Sequence, residues 1–424
     1  MLTQSVKTIG TNMGRLTAIS TLGSVVGALL IGFVLIRHLP NSVTMLITAG
    51  VLVALSAIYL IIWGRSEAGT NAILVAVGVG LALGYSGSRG QFGDKMKYGG
   101  ITWDVLYRAN SNYGELQVIE YRDGGLAERR YLNDQLIQNT YDPLSGKSRS
   151  LFTGALRWLA HAYTPKIERA LCIGMGAGIV PMQFAADGIE TDVVEINGAV
   201  VPMAEQFFDF NSSKVKVTVG DGRQFLNQTD RKYDAIILDA FLGDSSPSHL
   251  MTQESFAEIY RHLNEDGVLV INSFGESSKD RQFFSASLDK TLRSAFGTAR
   301  VKVHASGQGN VFFVATQAEE LIVHRPPKMP DQNAARRLEA AESDEAIQAE
   351  WNIWCGAAEN EGPFFSEHFQ VQDQMGLMWK KKRQFDPHKG RILLDDFNPV
   401  EFYDARNREK NRRYLIEMLS INDG

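Results

Sequence analysis

The 424-residue sequence predicts a doubly wound α/β domain with a mostly parallel sheet, preceded by three membrane-spanning helices. Three observations carry this. Short apolar runs alternate with helical stretches between residues 169 and 274. A glycine-rich turn, "GMGAG", separates the first of those runs from the first helix. The first ninety residues hold three uncharged apolar segments of bilayer length.

Those segments are Leu16–Ile36, Leu39–Trp63 and Gly69–Ser88, and none contains a charged residue. Each has roughly the 20 residues a helix needs to cross ~30 Å of hydrocarbon. A secretory signal would carry one shorter apolar core, so residues 1–90 are expected to form a multi-pass membrane segment. Gly23 and Gly27 give the first helix a face of small residues that suits close helix packing. Lys7, Arg15 and Arg65 flank the segments on one side, Arg37, Arg89, Lys95 and Lys97 on the other. The balance leans toward a plasma (inner) membrane protein whose following domain is cytoplasmic.

From Lys95 the pattern turns soluble. "YGELQVIEY" alternates like a strand, "DGG" at Asp123–Gly125 marks a turn, and "ERRYLNDQLIQN" resumes the alternation. Residues 100–145 therefore read as a small β-hairpin unit. "SRSLFTGALRWLAHAY" has helical spacing and Pro165 closes it. Strands follow at Arg169–Ile173, Thr191–Ile196 and Val215–Val219, with helices near Ile179–Ala186 and Ala199–Phe207. "KYDAIILDAF", "TQESFAEIYRHL" and "GVLVINSF" add a strand, a helix and a strand. Residues 150–320 form the α/β domain in this reading. In such sheets ligands lie beyond the C-terminal strand ends. Residues 321–424, with a proline-rich link and a charged helix, read as a helical surface appendage.

Composition excludes several classes. With 43 Lys and Arg against 48 Asp and Glu the net charge is −5, which offers nucleic acid no basic footprint. The two cysteines, Cys172 and Cys355, are far apart and belong to no CxxC. A disulfide framework or zinc site is not expected, and no other metal is called for.

Gly174, Gly176 and Gly178 sit where the first strand must turn sharply into a helix. Glycine there clears side chains, so that backbone N–H groups and the helix start can face a ligand. Glu195, at the tip of the next strand, is placed to accept hydrogen bonds from two ribose hydroxyls. The glycine spacing is not that of the usual dinucleotide fingerprint. Asp221 followed by Gly222 suits an acceptor for an adenine amino group beside a backbone amide, which favours an adenosyl sulfonium over a dinucleotide.

"YGELQVIE", "YLNDQLIQNTYDP", "CIGMGAGIVP", "VVEIN", "VGDGRQFL", "YDAIILDAFLGDSSPSHLMTQESF" and "LLDDFNPVEF" occur in that order. Together they resemble the spermidine synthase (polyamine aminopropyltransferase) family, and most nearly its membrane-fused, spermidine-synthase-like branch. The resemblance covers roughly Tyr113 to Phe274 and a short patch at Leu393–Phe402. It implies a Rossmann-like, class I methyltransferase-type sheet with a small N-terminal β unit. Gly174, Gly176, Gly178, Glu195, Asp221 and Gly222 match the nucleoside pocket, and the implied co-substrate is decarboxylated S-adenosylmethionine. The implied reaction is aminopropyl transfer to a polyamine acceptor such as putrescine. Tyr113 and Gln138 fall in the motifs that bind substrate.

Asp239 matches the first aspartate of the family's catalytic loop. Asp244 is a candidate base or equally a loop cap, since the family's second aspartate falls where this chain has Leu242. Ala177 stands where the family has an acidic residue, and Gly114 replaces a glutamine. Intact S-adenosylmethionine and methyl transfer are therefore the alternative, with non-catalytic nucleoside sensing a third reading. The implied partners are a small-molecule amine, the lipid bilayer and, as one arrangement, a second copy of the chain in a homodimer.

Overall fold

The computed structural model of the protein describes residues 6–35, 39, 41–63, 78, 80, 94–98, 101–241, 246–274, 282–305, 310–325 and 385–399. The chain divides into two compact units, Met1–Met96 with Arg108–Leu116, and Lys97–Tyr107 with Gln117–Gly424.

The first unit holds helices α1 (Val6–Leu30), continued by a π-helical turn at Ile31–Leu35, and α2 (Asn41–Trp63). Gly10–Leu35 is, among the described residues, the one helical stretch long and apolar enough to cross a membrane by length and composition. Within α2 the apolar stretch is Val43–Tyr59. The third expected segment, Gly69–Ser88, lies outside the described residues apart from positions 78 and 80. Among the described residues, one of the three expected segments thus forms a helix that passes on length and composition, and the third is not described. Ser24, Thr48 and Ser56 return their hydroxyls to the carbonyls of Ser20, Thr44 and Leu52, so these polar groups are satisfied within their own helices.

Six strands follow in sequential order: β1 (Lys95–Tyr98), β2 (Ile101–Ser111), β3 (Gly114–Asp123), β4 (Leu126–Asn133), β5 (Leu136–Asp142) and β6 (Lys147–Ser148). The expected single strand over "ERRYLNDQLIQN" is instead the β4–β5 hairpin. Asp134 and Gln135 turn it with φ of 48° and 66°. Two positive φ values match the twist of paired strands, and Asp tolerates them better than most side chains. At the preceding turn Gly124 and Gly125 do the same at 54° and 97°.

Helix α3 (Leu151–Tyr163) leads into the α/β region. This comprises β7 (Arg169–Ile173), α4 (Ile179–Ala186), β8 (Glu190–Glu195), α5 (Val200–Phe207), β9 (Lys216–Val219), α6 (Gly222–Gln228) and β10 (Tyr233–Leu238). It continues with α7 (Gln253–Arg261), β11 (Leu263–Phe274), α8 (Phe283–Phe296), β12 (Val301–Ala305) and β13 (Asn310–Thr316). The sheet order is β12-β13-β11-β10-β7-β8-β9. Strands β7 to β11 pair in parallel, and β13 runs antiparallel between β11 and β12. Numbered from β7, this is 3-2-1-4-5-7-6 with strand 7 reversed, the Rossmann-like, class I methyltransferase-type arrangement. The central strands are covered on both faces, so "ALCI" and "AIIL" read as continuous apolar runs. Cys172 is buried among them as a small apolar side chain, and burial pushes its thiol well above the ordinary range.

Residues 385–399 are not a surface appendage. Leu393 is fully buried and joins the core together with Phe385. The sequence there is too short and irregular to show helical or strand periodicity, which is why its burial is not legible from pattern.

Candidate functional site

Register builds the site. Ile173 pairs with Val194 on one side and with Leu238 on the other. The next residues, Gly174, Glu195 and Asp239, therefore emerge at one level from three adjacent strands. The switch in strand order falls between β7 and β10, where a crevice opens in this class of sheet.

Gly174 has φ of 86°, and a Cβ there would lie 2.3 Å from the carbonyl oxygen of Asp239. Only glycine permits so close an approach of two backbones. At Gly176, φ is 52° and a Cβ would lie 2.9 Å from Asn139 Oδ1. Gly178 precedes α4 directly, and its N–H donates to the Met175 carbonyl at 2.8 Å. Of the five amides from Gly174 to Gly178, four donate within the protein: to Val194 O, Glu195 Oε2, Asn139 Oδ1 and Met175 O. Gly176 donates to none of the described residues. The turn is thus rich in glycine mainly for close approach, and offers fewer free amides than its sequence suggests.

Glu195 is 8% exposed and accepts from the Met175 amide at 3.0 Å and the Asn197 amide at 2.8 Å. It holds the glycine turn in place, while each oxygen keeps a further lone pair for a ligand hydroxyl. Burial raises its carboxyl above the ordinary value, and the backbone N–H groups oppose that rise. The same burial, with the Glu195 charge, raises the phenol of Tyr131 on β4.

Asp239 follows β10 directly. Its Oδ1 accepts from Asn272 Nδ2 at 2.9 Å, and Asn272 Oδ1 accepts from Asn310 Nδ2 at 3.0 Å. Burial pushes its carboxyl up to about 6, the nearby Glu195 charge adds to the rise, and the Asn272 hydrogen bond opposes it.

Asp221 lies beyond the end of β9 and caps α6, with Oδ1 accepting from the Gln224 amide at 2.8 Å. His249 Nε2 lies 2.7 Å from Asp221 Oδ2. A carboxylate only accepts, so the imidazole donates there. Burial alone would raise the Asp221 carboxyl, but the Gln224 amide and His249 hold it below the ordinary value. Gly222 opens α6, where a Cβ would meet the Ile173 side chain at 2.4 Å.

Asn139 is a residue that pattern reading missed. It is 3% exposed, and its Oδ1 accepts from the Ala177 amide at 3.0 Å. That bond fixes the amide's orientation and leaves Nδ2 as the donor end. Gln138, next on β5, projects to the opposite face by strand alternation. The signal was the motif "IQNT", in which the sequence singles out Gln138 beside it. Tyr113 sits in the β2–β3 turn of the first unit, its N–H on Ser111 Oγ at 3.1 Å. Asp244 lies outside the described residues. Among the described residues no cluster of three or more His, Cys, Asp or Glu could hold a metal ion.

Residues 159–320 match the family model described as the spermine/spermidine synthase domain. The chain is 34% identical over 200 residues to a polyamine aminopropyltransferase of Vibrio vulnificus (strain CMCP6), covering 46% of this chain and 65% of that one. It is 33% identical over 217 residues to an N-terminal histidine N-methyltransferase of Emericella nidulans, covering 46% of this chain and 38% of that protein. The crystal structure of spermidine synthase from Thermotoga maritima is similar at a TM-score of 0.43 and 17% identity, over 67% of this chain and 94% of that one. The chain spans less than two thirds of the length of either curated relative. Residues 159–320 thus carry a spermine/spermidine synthase domain, similar to that of the relatives named for aminopropyl transfer.

Proposed function

We propose that the chain is a membrane-attached transferase that moves an aminopropyl group from decarboxylated S-adenosylmethionine to a small amine such as putrescine. The observation that carries this reading is the pair of carboxylates, Glu195 and Asp239, brought to one level by strand register beside a glycine turn. Glu195 would hold ribose hydroxyls and Asp221 the base. Glycine at 176 also spares Asn139, whose Oδ1 a Cβ there would press at 2.9 Å while it holds the Ala177 amide.

In the transfer, the lone pair of a neutral amine forms the new N–C bond. The C–S pair returns to sulfur, and a thioether leaves. The nitrogen then loses one proton, for which Asp239 is the acceptor. A carboxyl near 6 is mostly ionised at pH 7 and yet basic enough to take that proton. Its charge also attracts the ammonium form of the incoming amine. The sulfonium is its own activated leaving group, so this chemistry calls for positioning above all.

A second reading, methyl transfer from intact S-adenosylmethionine, is favoured by one observation. The residue over the turn is Ala177, and the side chain against it is the neutral amide of Asn139. A donor amide suits a tail that keeps its carboxylate. The relative in Emericella nidulans named as a methyltransferase agrees with it.

We assign residues 1–90 to membrane attachment with a cytoplasmic α/β domain, as in the membrane-fused branch of the family, on the strength of the Gly10–Leu35 helix and the apolar segments after it. Identifying the thioether product tests the two chemistries. With putrescine and decarboxylated co-substrate the first reading expects 5′-methylthioadenosine. Release of S-adenosylhomocysteine from intact co-substrate alone would replace it with the second.

A further inference from the structure

Residues 385–399 run back along the α/β region as a strap. Phe385 stacks on Phe313, with ring centroids 6.2 Å apart. Gly390 lies so close to α8 that a Cβ would come within 2.4 Å of the Ala286 oxygen. The Arg391 and Leu393 amides donate to Ser287 Oγ and Thr291 Oγ1, each at 3.0 Å, one helical turn apart. Lys290 Nζ donates to the Pro387 and Gly390 carbonyls at 3.2 Å.

The strap then reaches the Asp221 edge of the site. Arg223, two residues after Asp221, forms a two-pronged pair with Asp395 at 2.7 and 2.6 Å. The same guanidinium donates to the His249 carbonyl at 3.2 Å. Asn398 Nδ2 donates to the Ser248 carbonyl at 2.6 Å. Asp395 and Asn398 therefore hold both partners of the Asp221–His249 hydrogen bond, one through the first turn of α6 and the other through the turn that carries the imidazole. The Arg223–Asp395 pair is partly solvated, so its contribution to stability is small. Its planar, two-pronged geometry fixes orientation instead.

We propose that the strap positions the Asp221–His249 pair and thereby sets base discrimination at the nucleoside site, with Asp395 and Asn398 as positioning residues. This rests on the nucleoside reading above. An adenine presents an amino donor where hypoxanthine presents a carbonyl acceptor. A carboxylate held in one orientation accepts from the first and repels the second, whereas one free to turn discriminates less.

The experiment is calorimetric binding of 5′-methylthioadenosine and 5′-methylthioinosine to the full chain. Asp395→Asn and Asn398→Ala should each lower the adenine-to-hypoxanthine preference by about tenfold, the effect of loosening one charge-assisted contact. Their melting temperatures should stay close to wild type. Asp395→Glu, which keeps the charge, should retain the preference. Lys290→Ala loosens the strap far from Asp221 and should lower the melting temperature without moving the preference. An unchanged preference in both Asp395→Asn and Asn398→Ala, or equal weakening of both nucleosides, overturns the positioning role alone. A wild-type chain that binds neither nucleoside overturns the functional reading and the positioning role with it.

Discussion

Asp239 links the proposed chemistry to stability. Its carboxyl is raised from 3.8 to about 6 by burial, so between those values the folded protein binds a proton that the unfolded chain does not. Stability therefore falls as pH rises through that window, by about 3 kcal/mol, and stays lower above it. Asp239→Asn keeps an oxygen to accept from Asn272 but carries no charge. It should be at least as stable as wild type at pH 7, with the difference shrinking below about pH 4. Urea titrations at several pH values check this; a variant less stable at pH 7 would show that the charge is better solvated than its setting suggests. If Asp239 is the base proposed above, the same variant should lose on the order of 10²-fold in turnover, with nucleoside affinity little changed, because the proton acceptor is removed while the glycine turn and Glu195 remain. Gly174→Ala is a different case. Its Cβ would lie 2.3 Å from the Asp239 carbonyl, at a positive φ that alanine resists. A loss of several kcal/mol is expected, on the order of 3 or more, with both strand ends displaced. A chemical denaturation curve that matches wild type would mean the two strand ends can separate at little cost.

Elements were legible to the degree that pattern alone determines them. Strands β7, β8 and β10 announce themselves as apolar runs ending in glycine or carboxylate, because parallel strands buried on both faces need no polar alternation. Their register, and so the shared level of Gly174, Glu195 and Asp239, follows from the order of strands rather than from any one motif. Asn139 was not legible, since a one-residue choice of strand face depends on the β4–β5 turn at Asp134 and Gln135. Nor was the strap, whose contacts with α8 and Arg223 span about a hundred residues or more of sequence. Leu393 turns that difference into a measurement. Because it is fully buried, Leu393→Ala should cost roughly 2–5 kcal/mol by denaturant unfolding, as for other buried leucines. A solvated tail would show almost no change.

For the whole molecule, the apolar N-terminal helix and the α/β region obey different physics. The stretch Gly10–Leu35 exposes Leu16, Ile19, Leu22, Val26 and Phe33 around its circumference, so no face is reserved for a protein core. A helix apolar on all sides is stable in hydrocarbon and costly in water. The α/β region instead closes its own core, with Leu171, Ile236 and Phe313 fully buried within it. Removing residues 1–90 should therefore abolish co-flotation with phospholipid vesicles, while calorimetric binding of 5′-methylthioadenosine by the truncated chain stays close to that of the full chain. If the truncated chain still floats, attachment comes from a surface of the enzyme domain. Loss of nucleoside binding in a truncated chain that keeps a cooperative melting transition would mean that the membrane segment completes the site. Either result would require that adenosyl binding and bilayer insertion be treated as one function rather than two on a single chain.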